Sequence, residues 1–591
     1  MADYKWTVLS NTTLGALLAS LDGTIVLISL PVIFHGLGVN PFDPGSFPLL
    51  LWMLLGYGVV TGTLLVSFGR LSDIYGRARM YNMGFAIFSL GSILLFADPL
   101  SGYSGALALV LFRLVQAVGA AFLFANSAAL LTDAFPSNER GMAMGVNQVA
   151  FIGGSMLGLI LGGILAGIPD IHLGPFVLPT WRTIFLVSVP VGVGGTIWAY
   201  ARLREISTRR AGQRIDYVGN ATFAAGLILL LVSVTYGLLP YRSSSTGWGN
   251  PWVLAGLLSG AGLLAFFLWV ERKVPDPMFR LELFRVRSFT AGISAAFLGS
   301  IARGGMMLLL VLWLQGIWLP LHGYSFAETP LWAGIMMTPM MIGFIVSGPL
   351  SGRLSDRKGA KTLATLGMGI GSITFFLLAL LPTDFAYWEL GSILFAMGVG
   401  MGMFASPNAA AIMNSVPPEN RGASSGMMAT LQNIGQQASL AIFFTVVIVG
   451  LSVHLGPSVN GALLGAQVGS PDRQMLVGAI SADPTGALFG AFLGENPMNG
   501  LLASLSQSPG WVPLSASTQN TLLAPHFFAT AIAAGFSTSL SEAFLFAGTL
   551  TAVSTLISAL RGERYVYDEA VGAPSSRREF SPPIEAAGEG K

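Results

Sequence analysis

The chain has 591 residues, of which 53% are hydrophobic and only 10% are charged, and its formal net charge is +2. Soluble globular proteins carry about 25% charged residues, so the composition excludes an ordinary soluble domain, a disordered chain and a nucleic-acid-binding protein with a basic face. The sequence contains no Cys, which excludes a disulfide-built scaffold, thiolate metal sites and cysteine nucleophiles. Its 74 Gly and 38 Phe are typical of a helical protein that crosses a membrane many times.

Fourteen apolar runs are long enough to cross a bilayer, which takes about 20 helical residues. They cover 7–33, 48–68, 80–97, 105–131, 142–167, 181–200, 217–239, 251–270, 289–318, 331–351, 362–382, 388–413, 423–452 and 538–560. The first run is too long for a cleavable signal peptide and has a weak basic start, so we interpret it as a span.

The basic residues give these spans an orientation. An alternating path places all but five of the 30 Lys and Arg residues on one side, together with both termini; the five are Arg113, Arg182, Arg242, Arg303 and Arg473. Loops rich in Lys and Arg face the cytoplasm. The sequence therefore predicts a multi-pass protein of the cell (inner or plasma) membrane with both termini in the cytoplasm.

An internal repeat relates two parts of the chain. The segment Gly69-Arg70-Leu71-Ser72-Asp73 recurs 283 positions later as Gly352-Arg353-Leu354-Ser355-Asp356, and Arg140-Gly141 recurs 281 positions later as Arg421-Gly422. Both copies fall on the predicted cytoplasmic side, so the halves run parallel, related by an axis along the membrane normal. Eight spans separate the copies, which predicts six spans, two linker spans and six further spans.

This organisation predicts an all-α polytopic membrane protein with four regions. Residues 1–205 form an N-terminal six-helix half, 206–287 carry the two linker helices, and 288–560 form a C-terminal half. That half includes a long outer loop, 453–537, which is rich in Gly, Ala, Ser and Pro and either folds over the outer vestibule or lies at the membrane interface. Residues 561–591 are polar and are predicted to be a disordered cytoplasmic tail.

Asp22 is the carboxylate that the span assignment places near the middle of the membrane. A carboxylate in a medium of low dielectric constant takes up a proton more readily than one in water, as a proton-coupling site requires. The alternative is that Asp22 has a structural role and caps or bonds a broken helix. Thr24, two residues further on, would serve either role.

Two cations, Arg113 and Arg303, fall within spans. Burying Arg303 demands a carboxylate, helix carbonyls or an anionic group of a ligand. Together with Thr24, Gln116, Trp313 and Gln315, it is a candidate for contact with a substrate in a central cavity.

The sequence resembles the major facilitator superfamily, specifically its fourteen-helix drug:proton antiporter branch. The similarity is carried by Leu21–Val26 with Leu30-Pro31, by the loop Gly69–Arg79, by Arg113-Leu114-Val115-Gln116 and by Trp181–Phe185. It also includes five glycines of the fifth span: Gly145, Gly154, Gly158, Gly162 and Gly163.

The resemblance implies a role for each motif. Arg113 is expected to tune the proton site at Asp22. The repeated loop is expected to act as a latch that stabilises one access state, through Gly69, Arg70, Asp73, Gly76, Arg77, Arg140, Gly352, Asp356 and Gly359. From its position, Asp73 can cap the next helix and pair with the arginines around it. The glycines let two helices touch backbone to backbone. Leu159 stands where the antiporter pattern has proline, so export is a firmer expectation than strict antiport.

The function that follows is proton-coupled export of lipophilic small molecules by alternating access. The sequence shows no phosphate loop, metal-ligand cluster or nucleophile–base arrangement, so we expect neither an enzyme nor a cofactor, and a proton gradient as the energy source. The expected partners are a lipophilic small molecule or lipid, protons and membrane lipids, without nucleic acid, for a protein that works as a monomer. Two alternatives stay open: an exporter of lipids or cell-envelope precursors, and a non-transporting membrane receptor or scaffold.

Overall fold

The computed structural model describes residues 2–562 except for short segments at 40–45, 137–138, 169, 174–175, 206–215, 240, 243, 245, 275–276, 278, 326–327, 418–419, 494–497, 507–510 and 525. Within the described residues, fourteen helices are long and apolar enough to cross a membrane, which confirms the predicted number. Most of the predicted tail, 563–591, lies outside the described residues, as does part of the first linker, 206–215.

The fourteen spans are numbered here in chain order. Spans 1 to 5 are Ala2–Leu37, Phe47–Tyr75, Arg77–Ala97, Gly102–Ala134 and Arg140–Ala166; span 6 is Thr180–Leu186 with Ser188–Arg202; spans 7 and 8 are Tyr217–Gly237 and Pro251–Glu271. Span 9 is Arg287–Trp313 continued by a π-helical turn, Leu314–Trp318, and by Leu319–Leu321; span 10 is Thr329–Met336 with Thr338–Lys358. Spans 11 to 14 are Ala360–Ala379, Tyr387–Asn414, Arg421–Gly465 and Phe527–Ala559.

Strands are rare in this fold. In the part of the chain that the structure describes, the regular sheet is one antiparallel hairpin of Ile171–Leu173 with Phe176–Leu178, next to span 6. A short 3-10 helix, Leu281–Arg285, precedes span 9. The prediction of an all-α polytopic protein is confirmed.

The internal repeat extends to helix packing. In the N-terminal half, Gly154 of span 5 lies against the backbone of Leu17 in span 1; in the C-terminal half, Gly435 of span 13 lies against the backbone of Phe297 in span 9. The interval between the two glycines is 281 positions and that between their partners is 280. The halves therefore share one architecture with closely similar spacing along the chain, as parallel repeats do.

The packing of spans 3 and 4 is likewise repeated in spans 11 and 12. Gly84 packs against the backbone of Gly119 in the N-terminal half, and Gly367 packs against that of Gly400 in the C-terminal half. Their intervals are 283 and 281 positions. Glycine at these positions allows the close backbone approach that membrane helices use in place of a hydrophobic driving force.

The two halves touch mainly through spans 5 and 10 and through spans 2 and 13. We call the end of the bundle that carries Arg70, Arg140 and Arg353 the basic end. There Gly141 lies against Gly352, and at the opposite end Gly163 lies against Leu331. Spans 5 and 10 thus meet at both ends.

A small apolar cavity lies between the halves, with a volume of about 50 Å³. Its walls include Gly23, Leu51, Met53, Arg113, Leu308, Phe444 and Thr485. Pockets that hold drug-sized ligands measure about 300–1,000 Å³. A ligand of that size therefore does not fit this cavity in the present structure.

The predicted outer loop, 453–537, is largely helical, so its predicted boundaries are wrong. Span 13 continues to Gly465 and span 14 begins at Phe527. Between them lie four short helices, Ser470–Ala482, Pro484–Leu493, Met498–Leu505 and Ala516–Leu523, which we call the cap (residues 466–526). Pro457, which reads as a helix breaker, lies within span 13.

The cap packs onto the bundle through apolar side chains at helical spacing. Leu476 and Ile480, one turn apart, are buried in the main core cluster together with Leu488. Asp472 joins distant parts of the cap, because its buried carboxylate accepts a hydrogen bond of 2.9 Å from the backbone N–H of Val512. Thr485 reaches the wall of the central cavity. The cap therefore covers the end of the bundle opposite the basic end.

Candidate functional site

Asp22 lies at the centre of the N-terminal half, where spans 1, 2, 4 and 6 converge. Its side chain is completely buried, and Oδ2 accepts a hydrogen bond of 3.1 Å from Nη1 of Arg113. Oδ1 accepts a second bond of 3.0 Å from the hydroxyl of Ser188. The predicted neighbours Asp22 and Arg113 are thus brought together as a buried ion pair.

Arg113 is held on several sides. Its Nη2 donates to the backbone carbonyl of Asp22 at 3.2 Å, and its Nε donates to that of Met53 at 3.1 Å. The guanidinium carbon lies 4.9 Å from the ring centroid of Tyr57, a cation–π distance. Buried ion pairs persist only when such extra hydrogen bonds satisfy the remaining donors.

The resemblance implied that Arg113 acts on Asp22, and in this structure the two side chains form an ion pair. The physical reason is that an uncompensated charge in the membrane interior is too costly to leave unpaired. Ser188 and Tyr57 were missed, because a Ser or Tyr in an apolar run carries no signal of its neighbours.

The other candidates near Asp22 are placed as follows. Gln116 donates from Nε2 to the hydroxyl of Ser92 at 2.9 Å, within the packing of spans 3 and 4. Thr24 donates to the backbone carbonyl of Ser155 at 2.7 Å and so serves the contact between spans 1 and 5. Neither side chain lines the small central cavity, whereas Arg113 does.

Asp73 holds a helix of the opposite half. Its Oδ1 accepts hydrogen bonds from Nε and Nη2 of Arg77 at 3.1 and 2.9 Å, and Arg77 also pairs with Asp133 at 2.5 Å. Oδ2 accepts from the backbone N–H of Ala423 at 3.0 Å, in the first turn of span 13. A carboxylate at a helix N-terminus satisfies a free N–H and opposes the positive end of the helix dipole.

Asp356 makes the reciprocal contact. Its Oδ1 accepts from the backbone N–H of Gly141 at 3.1 Å, in the first turn of span 5. Each half therefore caps a helix of the other half at the basic end. Arg140 adds a third link, because its Nη1 donates to the side-chain oxygen of Asn414 in span 12 at 3.0 Å.

The prediction that Asp73 caps the next helix is wrong. Glu205, after span 6, does so: its carboxylate accepts from the backbone N–H groups of Arg77 and Ala78 at 3.2 and 3.1 Å. Gly76 and Gly359 have φ of 107° and 88°, a region that glycine adopts without strain. These turns end spans 2 and 10 at the latch.

The remaining latch residues lie in the same interface. Gly69 lies where Gly426 of span 13 approaches span 2 closely. Arg70 is buried. Gly352 packs against the backbone of Gly141, as described above. The structure thus gathers all nine predicted latch residues at the basic end.

The five glycines of span 5 face two different partners. Gly154, Gly158 and Gly162 lie against the backbone of span 1, and a Cβ on Gly158 would overlap the Leu21 carbonyl and the Thr24 hydroxyl. Gly145 and Gly163 face span 10 of the other half. Three glycines thus join helices within one half, and two lie on the surface across which the halves meet.

The candidates in the C-terminal half lie apart from the cavity lining. Arg303 donates from Nε to the carbonyl of Gly299 at 3.1 Å and contacts the hydroxyl of Ser300 at 3.5 Å. Trp313 and Gln315 are buried at the π-helical turn of span 9, and their side-chain nitrogens have no hydrogen-bond partner among the described residues. Trp313 packs edge-to-face on Phe385, with ring centroids 4.9 Å apart.

The amino-acid sequence is similar to those of known membrane transporters. The profile of the Major Facilitator Superfamily matches residues 12–216 and 218–439. A riboflavin transporter, RibZ, of Clostridioides difficile is 29% identical over 442 residues, which are 74% of this chain and 87% of that protein. Multidrug resistance protein Stp of Mycobacterium tuberculosis is 29% identical, covering 76% and 78%. Multidrug resistance protein 3 of Bacillus subtilis is 27% identical, covering 75% and 80%.

Solved structures share the fold. The proton:xylose symporter XylE superposes with a TM-score of 0.52 and 12% identity, over 94% of this chain and 95% of that one. A bacterial homologue of the human lysosomal transporter Spinster gives a TM-score of 0.51 and 13% identity, over 96% and 99%. With the profile spanning both halves, the conclusion is that this chain belongs to the major facilitator superfamily and is a membrane transporter, not an enzyme.

Proposed function

We propose that the protein exports lipophilic small molecules in exchange for protons, by alternating access. The observation that carries the proposal is the buried Asp22–Arg113 pair, whose arginine also forms part of the wall of the central cavity. A group that binds a proton can drive transport only if its charge state affects the cavity or the packing of the halves. Arg113 supplies that connection.

The coupling step follows from the geometry. A proton on Asp22 removes the negative partner of Arg113 and leaves a buried cation uncompensated, which is unfavourable. Arg113 must then move or find another acceptor, and both its bond to the Met53 carbonyl and the cavity wall change with it. Proton binding therefore favours a second arrangement of spans 1, 2 and 4.

The latch residues control whether the basic end of the bundle is open or closed. Asp73 and Asp356 hold the basic end closed by capping helices of the opposite half. We assign the basic end to the cytoplasm, because its loops carry most of the basic residues. Opening toward the cytoplasm then requires both caps to break, and closing restores them.

The free energy released by proton entry is enough to concentrate a cargo on the far side of the membrane. One charge that moves inward through 100 mV releases about 2.3 kcal/mol, and each pH unit adds about 1.4 kcal/mol. The first contribution alone sustains a gradient of about fiftyfold for a neutral cargo. The names of the relatives, with multidrug resistance proteins among them, support lipophilic compounds as the cargo.

The test is transport into proteoliposomes with an imposed pH gradient, using a panel of lipophilic fluorescent dyes. Asp22→Asn should abolish gradient-driven accumulation while the protein still elutes as a folded species. Asp384→Asn is the matched control, since the Asp384 side chain is 88% exposed. Accumulation by Asp22→Asn at the wild-type rate would show that the coupling proton binds elsewhere or that none is used.

A second candidate keeps the fold and changes the cargo to a lipid or cell-envelope precursor. The cap favours it, because helices that cover the exit and reach the cavity through Thr485 could pass an amphiphile onward without releasing it to water. Deleting 470–523 should then abolish transfer of a lipid to acceptor vesicles while dye export continues.

A further inference from the structure

The two halves place opposite charges within one residue of equivalent positions. Arg303 follows Asp22 by 281 positions, the interval that also separates Arg421 from Arg140. By the glycine contacts, spans 5 and 13 correspond at an interval of 281 positions and spans 1 and 9 at 280, so Arg303 lies one residue after the equivalent of Asp22. The acid at the centre of the N-terminal half thus has a base next to its equivalent position in the C-terminal half.

The partner of that charge has not been preserved. The register of spans 4 and 12, fixed by Gly119 and Gly400, makes Leu394 the equivalent of Arg113. Leu394 is fully buried, and so is Met397, which stands at the position of Gln116. The C-terminal half therefore has buried apolar side chains where the N-terminal half has Arg113 and Gln116.

Arg303 bonds only within its own helix. In the described part of the chain its guanidinium contacts the Gly299 carbonyl and the Ser300 hydroxyl, and no carboxylate lies within ion-pair distance. The side chain is partly accessible rather than sealed. Intramembrane cations pair with acids, carbonyls or ligands because leaving them uncompensated is costly.

We propose that Arg303 binds an oxyanion of the cargo, either the carboxylate of an amphiphilic organic acid or the phosphate of a lipid head group. A guanidinium holds such groups with two parallel hydrogen bonds. The proposal rests on the proposed export function for its cargo but makes a separate claim about charge. The anion supplies the negative partner that Leu394 cannot.

The geometry also predicts which ligands are excluded. The N-terminal half neutralises itself through Asp22 and Arg113, so the described spans leave no free acid at the membrane centre to hold a cation. Arg303 repels a cation at the same depth. A bis-quaternary compound is therefore a poor ligand, and a monoanion of the same length is a good one.

Direct binding to the purified full chain in phosphatidylcholine nanodiscs tests this with four ligands that share a ten-carbon chain. They are decanoate, decanol, decyltrimethylammonium and decamethonium. Wild type should bind decanoate about tenfold or more tightly than decanol, in line with a hydrogen bond to a charged group. Arg303→Gln should remove this preference, and Arg353→Gln, at the exposed basic end, should keep it.

A second variant tests the pairing itself. Leu394→Asp supplies the missing acid and should occupy Arg303, so decanoate should bind no better than decanol while decanol binding is retained. Leu394→Asn, similar in size but neutral, should preserve most of the preference. Retained anion preference in Leu394→Asp would overturn the proposed site, and this outcome does not depend on how Arg303→Gln folds.

To distinguish a lipid head group from an organic acid, decanoate binding is measured again in nanodiscs that contain phosphatidylglycerol. Arg303-dependent competition by this lipid identifies the head group as the source of the oxyanion, and its absence identifies the organic acid. Equal affinities of wild type for decanoate and decanol, or tightest binding of decamethonium, would overturn the proposal. If anion binding depends on Arg303 but no variant transports, the export function fails and the site stands.

Discussion

The N-terminal and C-terminal halves repeat one architecture but differ at their centres. In one half, Asp22 and Arg113 form a buried, hydrogen-bonded pair; in the other, Arg303 lies one residue after the equivalent of Asp22, and Leu394 holds the position of Arg113. By contrast, Asp73 and Asp356 keep the same role at the basic end. Backbone contacts that fix the fold are repeated, whereas the charged residues at the two centres differ.

The comparison first predicts opposite effects of removing the two central arginines. Arg113→Leu strands the Asp22 charge in the interior and should cost about 3–5 kcal/mol of the free energy of unfolding. Arg303→Leu removes a cation with no acid partner among the described residues and should cost nothing or stabilise the protein. Chemical unfolding in mixed micelles measures both, and equal destabilisation would contradict the distinction.

The contact between spans 1 and 5 should tolerate a side chain larger than Gly less well than its counterpart between spans 9 and 13 does. Ser439 stands at the position of Gly158, and its hydroxyl accepts a bond of 2.7 Å from the Gly305 N–H. In the N-terminal half, Gly158→Ser would meet the Leu21 carbonyl and should cost about 1–3 kcal/mol by overpacking. Gly153→Ser is the control, because a Cβ there meets nothing closer than 3.9 Å.

Asp73 and Asp356 should act alike, because each caps a helix of the opposite half. This tests the feature that the two halves share. Asp73→Ala and Asp356→Ala each remove a cap, worth about 0.5–2 kcal/mol, and should shift the population toward an open basic end. Because the chain has no Cys, thiol labelling of Ser425→Cys, a buried position of span 13, reports the opening. Unchanged labelling in both variants would leave these loops only a topological role.

The smallest expected effect concerns Glu205, which has no described counterpart at the start of span 11. Glu205→Gln weakens the cap on Arg77 and Ala78 and should cost about 0.3–1 kcal/mol. Hydrogen exchange in the first turn of span 3 should rise, while that of span 11 stays unchanged. Equal changes in both helices would indicate a global effect rather than a local cap.

Much of the fold was predictable from the sequence because the membrane restricts the choices. Only helices satisfy their backbone groups internally in lipid, so apolar length gave fourteen spans and the basic loops gave an orientation to test. The repeat of Gly69–Asp73 predicted parallel halves. The helices of the cap were not predicted, because short apolar runs broken by Gly, Ser and Pro resemble a loop. The structure shows that Leu476 and Ile480 are buried against the core.

The sequence by itself determined the residue types at the centre: one mid-membrane acid, two arginines and a glycine-lined fifth span. Only the tertiary structure decided their partners. It added the hydroxyl of Ser188 to the Asp22–Arg113 pair, and it directed the Asp73 cap to span 13 of the other half. It also gave the Arg303 guanidinium partners in its own helix, the Gly299 carbonyl and the Ser300 hydroxyl. Partners distant along the chain are chosen by helix register and packing, and the free energy of a buried charge depends on those partners far more than on its sequence neighbours.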